Sequence, residues 1–191
     1  MTLAALDSPI RTLFERLEPL AAAPTPDMPA IAALLRETAQ DQEYFAHHID
    51  RVRDMSGGKP IHMPERGPRL MIVHRLNGQM GAVHSHKVWV AITPLEGVET
   101  HRLYDVTRKT EDGHATLKLK EERHVGAGDS VTLLPPEDVH AHGHVEGIGD
   151  AAYLLILSGD NQVAYEREEY DPATGDWRPL KAGDGGSWLQ K

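Results

Sequence analysis

The chain contains no cysteine, so disulfides, thiolate metal ligands and cysteine nucleophiles are all excluded. Aromatic residues are scarce, at 5%, and a core must therefore be built mainly from aliphatic side chains. There is no basic run. Twenty Lys and Arg stand against 29 Asp and Glu, a formal net charge of −9. Such a chain is poorly matched to phosphate backbones or anionic lipid, so neither nucleic acid nor a membrane is an expected partner. No apolar stretch is long enough to span a bilayer, and residues 1–7 lack a basic start followed by an apolar run. Neither a transmembrane span nor a signal peptide is expected, and the absence of cysteine fits a cytoplasmic location.

What is present is length, aliphatic content and histidine. With 191 residues and 40% hydrophobic content, one domain with a sizeable core is expected over 1–191. Histidine occurs 12 times, which points either to scattered surface polarity or to metal or proton chemistry. Residues 1–58 read as a helical extension. Asp7-Ser8-Pro9 is a helix start, and Ile10, Leu13, Phe14, Leu17 and Leu20 then follow at helical spacing. A proline-rich break follows, and a second helix carries Ile31, Leu34 and Leu35, continuing through Tyr44, Phe45 and Ile49. His47 and His48 are expected on its solvated face, and 55–60 is read as a loop.

From there the pattern changes to short β-branched runs separated by turns. Strands are predicted at 70–76, 86–93, 99–105, 115–119, 130–134, 152–157 and 163–168, giving a barrel core over 59–170. A polar tail, 171–191, follows, with Trp177 and Trp188 as anchors.

The chemistry gathers in two segments. In a strand, residues two apart share a face, so His84 and His86 aim both imidazoles at one point. A third ligand must come from elsewhere, and His140 follows a glycine turn, a short strand and the corner Pro135-Pro136. His142 and His144 alternate with His140, so His142 is a second candidate for that ligand. Neutral imidazoles converging inside a barrel make a metal site, and the ligand type alone does not choose among Fe(II), Zn, Ni and Mn.

These residues resemble the two cupin motifs. Gly78, His84, His86 and Gly97 match G-x5-H-x-H-x3-E-x6-G, with Val90 in place of the glutamate. Gly128-Asp129, Pro135 and His140 resemble the second motif, in which Glu137 replaces a glycine and His144 an asparagine. The resemblance implies a mainly β, double-stranded β-helix (jelly-roll) barrel with two N-terminal helices. Loss of the glutamate leaves three histidines, as in the thiol dioxygenase branch, which includes cysteine and 3-mercaptopropionate dioxygenases. His84-Ser85-His86-Lys87-Val88-Trp89, Leu95-Glu96-Gly97, Asp138-Val139-His140 and the run from Tyr165 to Gly175 are similar to segments of that branch.

The resemblance implies a mononuclear non-haem iron dioxygenase acting with O2 on a small, carboxylate-bearing substrate. It places Arg167 as the group that grips the carboxylate, with Arg75 as a fallback. A guanidinium can do this through two parallel hydrogen bonds. Trp89, His101, Tyr104, His142 and Ser158 are candidates for supporting contacts. The serine–histidine–tyrosine relay of the bacterial members falls on Leu154, Ile156 and Ser158, so all three relay groups are missing. That departure opens a second chemistry, carbon–carbon cleavage of a β-diketone. It also opens a second class, a non-redox Zn or Ni isomerase or lyase, and a third, a metal-binding sensor. A homodimer is left open.

Overall fold

The computed structural model describes residues 6–183 except 77 and 79; Trp188 lies outside the described residues. Three helices precede eleven strands: α1 (Ser8–Ala21), α2 (Met28–Ala39) and α3 (Gln42–Asp50), then β1 (Gly57–His62), β2 (Arg69–His74), β3 (Val83–His84), β4 (Val90–Glu96), β5 (Val98–Lys109), β6 (Ala115–Gly126), β7 (Val131–Leu133), β8 (His140–Gly143), β9 (Tyr153–Ser158), β10 (Arg167–Tyr170) and β11 (Trp177–Leu180). No helix among the described residues is long and apolar enough to cross a membrane.

The strands form two sheets, ordered β1-β2-β9-β4-β7 and β11-β10-β3-β8-β5-β6, with antiparallel pairing throughout. From β2 to β5 and from β6 to β10, successive strands alternate between the sheets. That alternation is the mark of a double-stranded β-helix rather than a meander, and it is the expected cupin-type barrel. The first sheet buries both faces. Leu70, Ile72, Ala91, Leu155 and Leu157 pack with Ile10, Leu17, Ile31, Leu35 and Phe45 of the helices. Val73, Val90, Ile92 and Leu154 point the other way, toward the interior between the sheets.

The structure corrects several expectations. Two helices become three, because the Asp41 side chain accepts a hydrogen bond from the Tyr44 amide at 3.1 Å and starts α3 afresh. Asp27 caps α2 in the same way. His48 is not solvated: it is 5% exposed, and burial pushes its pKa down to about 4. The expected loop at 55–60 is largely strand β1. Its Pro60 is tolerated because β1 is an edge strand with a register shift after that residue. The strand expected at 163–168 begins instead at Arg167, after a 3-10 turn at Gln162–Ala164. The expected strand at 86–93 is interrupted and resumes only at Val90. Part of the expected polar tail, β11, extends the second sheet, with Trp177 donating to the Thr110 carbonyl at 3.0 Å.

Gly97 turns the chain from the first sheet into the second. Its φ is +73°, and a Cβ there would stand 2.3 Å from the Ala151 carbonyl oxygen. Gly97→Ala is therefore expected to cost at least about 2 kcal/mol, read as a Tm drop of roughly 4–8 °C. An unchanged Tm would mean that this corner relaxes without cost.

Candidate metal centre

The site is built on the inner face of the second sheet. The register runs Glu169–His84–His140–Leu103 across β10, β3, β8 and β5, and the neighbouring row pairs His142 with His101. Period-two alternation then places His140, His142 and His101 on one face. Val139, Ala141 and Tyr104 fall on the opposite face, in a separate apolar cluster.

His86 lies just beyond β3. Ser85 is held outward, donating its amide to the Glu168 carbonyl (2.9 Å) and accepting the Glu168 amide on Oγ (3.0 Å). Asp138, 2% exposed, accepts the His86 amide at 2.5 Å. The residue two before one histidine thus clamps the backbone of another, and ring centroids in the cluster fall 4.6 Å (His84–His140), 4.8 Å (His84–His86) and 5.0 Å (His86–His140) apart. The cis peptide Pro135-Pro136 lies in the corner that leads into this segment.

Two groups of three histidines have ring nitrogens close enough to hold a metal ion: His84, His86 and His140, and His101, His140 and His142. The chemistry of the donors fits an ion. His84 donates Nδ1–H to the Ala82 carbonyl and His140 to that of Asp138, each at 3.0 Å. Each therefore keeps Nε2 as a lone-pair donor, the usual arrangement of metal-ligating histidine. His140 Nε2 is buried without a hydrogen-bond partner, a costly state that an ion relieves, and both ring nitrogens of His101 lack one too; His86 Nδ1 lies 3.8 Å from Asp138 Oδ2. Burial, above all, holds all three histidines below the ordinary pKa, and the positive charge of Arg167 adds to this at His84 and His86. They are neutral at pH 7, as ligation requires.

His142 is differently engaged. Its Nδ1 lies 2.9 Å from Glu99 Oε1, and its Nε2 is 3.0 Å from Arg75 Nη2. Arg75 also donates to Glu99 Oε1 at 3.3 Å, and His101 Nε2 lies 2.8 Å from Glu99 Oε2. Glu99 is fully buried and was not among the sequence candidates. Its signal was the alternation Glu99-Thr100-His101, which puts a carboxylate on the same face as a candidate histidine.

The other candidates are dispersed. Arg167 is 8% exposed and acts electrostatically on the cluster. Trp89 packs with the helices on the far side of the first sheet. Ser158 donates to the Asp160 carbonyl. Leu154 and Ile156 share an apolar cluster with Leu103, the register partner of His140, so an apolar wall faces the histidines.

No protein-family model and no curated protein matches the sequence. Among solved structures, an RmlC-like cupin of Methanocaldococcus jannaschii is 14% identical over 56% of this chain and 84% of its own, with a TM-score of 0.41. A cupin superfamily protein of Desulfitobacterium hafniense is 12% identical over 55% of this chain and 76% of its own, at 0.40. A structure from work on DMSP lyases is 14% identical over 52% of this chain, at 0.37, and this chain covers only 42% of it. Likeness this slight carries nothing about chemistry. The fold stands on its own strand order, and the site defines a β-barrel protein with an interior histidine cluster able to hold a metal.

Proposed function

We propose that the protein is a mononuclear non-haem iron dioxygenase whose Fe(II) is held by His84, His86 and His140. Its partners are O2 and a small organic acid, and the chemistry resembles that of cysteine and 3-mercaptopropionate dioxygenases. The observation that carries this reading is the buried, unpartnered His140 Nε2 beside a His84 whose Nδ1 is already committed to the Ala82 carbonyl, so that both rings keep Nε2 for an ion. His142 supports the same choice by contrast, since Glu99 and Arg75 occupy both of its nitrogens.

Bound iron would supply a site where an anionic substrate and O2 react together. The chain's own residues do the rest. Three neutral imidazoles leave the ion's charge uncompensated, which favours an anionic substrate. The guanidinium of Arg167 adds positive charge beside His84 and His86, while that of Arg75 is paired with Glu99. Met71, Leu154 and Ile156 make the facing wall dry, which strengthens each of these interactions. That same wall, where a relay was expected, favours a second reading: carbon–carbon cleavage of an apolar β-diketone.

The test is metal analysis of native protein, then anaerobic Fe(II) loading and oxygen-electrode assays with 3-mercaptopropionate, cysteine, cysteamine and a β-diketone. About one iron per chain is expected, with uptake on one substrate and no added reductant. Uptake on the diketone alone would select carbon chemistry. Zinc or nickel with no uptake after iron loading would reject the dioxygenase in favour of a non-redox isomerase, lyase or sensor.

A further inference from the structure

Strand β8 does more than carry His140. It also holds the segment that delivers His84. His140 faces His84 in the ladder, the His142 carbonyl accepts the Gly81 amide at 2.9 Å, and Met80 bridges to Gly143. The next hold is a side chain. His144 follows β8 directly, and its Nδ1 accepts the Gly78 amide at 3.0 Å. Because β3 is only Val83 and His84, these contacts set the course of the chain ahead of His84. That course matters to the ligand. The Ala82 carbonyl, inside the held segment, accepts Nδ1–H of His84 at 3.0 Å and so leaves Nε2 as the donor to an ion.

The other ring nitrogen of His144, Nε2, lies 3.1 Å from the Gly149 carbonyl. A backbone amide only donates and a carbonyl only accepts, so the tautomer is fixed: the proton sits on Nε2 and the lone pair on Nδ1. Gly149 is a firm anchor. Its φ is +64°, a Cβ there would stand 2.6 Å from Val98 Cγ2, and the Asp150 carbonyl accepts the Val98 amide at 3.0 Å. His144 is 3% exposed, so water competes little for either bond, and losing one strands a buried polar group. The ring is a strut. One end rests on a turn packed against β5, and the other meets Gly78, whose φ of +72° makes the turn that starts the approach to His84.

We propose that His144 is a positioning residue for the metal centre: held between Gly149 and Gly78, its ring sets the backbone that aims His84 at the ion. The inference rests on the reading of His84 as a ligand.

The test is Co(II) binding to the metal-free full chain, followed by calorimetry and by the d–d absorption of the bound ion, with the metal-free Tm measured alongside. Asparagine places an acceptor oxygen at the δ position, where Nδ1 sits, and keeps the Gly78 bond while losing that to Gly149. Glutamine places a donor nitrogen at the ε position, where Nε2 sits, and does the opposite. Each loses one bond, so the two variants are expected to lower Tm alike. Metal affinity should separate them: weaker by roughly tenfold or more in His144→Gln and His144→Ala, and within about threefold of wild type in His144→Asn. His144→Ala carries the same comparison should His144→Gln not fold. The effect should also run through His84, so that His144→Gln costs no further affinity in a His84→Ala background. Equal losses of affinity in His144→Asn and His144→Gln, following Tm, would overturn the proposal. So would a further loss in the His84→Ala background, or full affinity in His144→Gln and His144→Ala, while His84→Ala itself binds weakly. Full affinity in His84→Ala would instead reject His84 as a ligand, and this inference with it.

Discussion

Replacing His140 by alanine is expected to lower metal affinity by at least about 10²-fold, since loss of even an outer partner of a ligand costs 10–100-fold. His140 belongs to both groups of histidines that could hold an ion, so this result does not depend on which group binds. The divalent ion should stabilise the wild type by about 2.7 kcal/mol at a hundredfold excess over Kd, a Tm gain of roughly 5–10 °C. His140→Ala should show no such gain. Its metal-free Tm should stay near that of the wild type, because the deletion leaves a cavity but also removes a buried nitrogen without a partner. His84→Ala and His142→Ala then separate the two groups. If His84, His86 and His140 are the ligands, His84→Ala loses the gain and His142→Ala keeps it. The reverse pattern would move the ion to His101, His140 and His142. A full metal-induced gain in His140→Ala would remove the metal centre altogether.

The barrel and the histidines on its inner face were legible because they rest on local periodicity. His84 and His86 alternate, His140 follows a proline corner, and Gly97 marks a turn whose positive φ and close backbone approach only glycine meets. What was not legible depends on pairing across the chain. Pro60 argues against a strand in isolation, and only its place at an edge admits it. Trp89 follows the histidines closely in sequence, yet it faces the helices, because the chain is irregular between β3 and β4. Glu99 carried no motif of its own. Its meaning appeared only when β5 was laid beside β8 with Arg75 arriving from the other sheet.

Glu99→Gln is expected to cost the metal-free protein about 3 kcal/mol at pH 7, since removing one partner from a buried charge pair strands the other. That is a Tm fall of roughly 6–12 °C. Glu99 serves three groups at once: the His142 ring nitrogen, the Arg75 guanidinium, and the His101 ring nitrogen 2.8 Å away. A glutamine offers one oxygen, and its amide nitrogen would confront a donor. The pH dependence follows from two depressed pKa values. Burial opposes ionisation of Glu99, but the charge of His142 and the hydrogen bonds from His101 and His142 outweigh it and hold the carboxyl below its ordinary 4.5. Burial pushes His142 down to about 4, with Glu99 pulling the other way. In both cases the unfolded chain takes up the proton first, so stability falls as pH falls. The His142 contribution is fully present above about pH 6.5 and is lost toward pH 4, at about 1.4 kcal/mol per pH unit. The Glu99 contribution is lost from about pH 4.5 downward, and only in the wild type. Denaturation measured from pH 7 to pH 3 should therefore show a gap between wild type and Glu99→Gln that is widest near neutrality and narrows below about pH 4.5. A gap that widens in acid would mean that the buried carboxyl is already protonated in the folded state, and that Arg75 is held by something other than its charge.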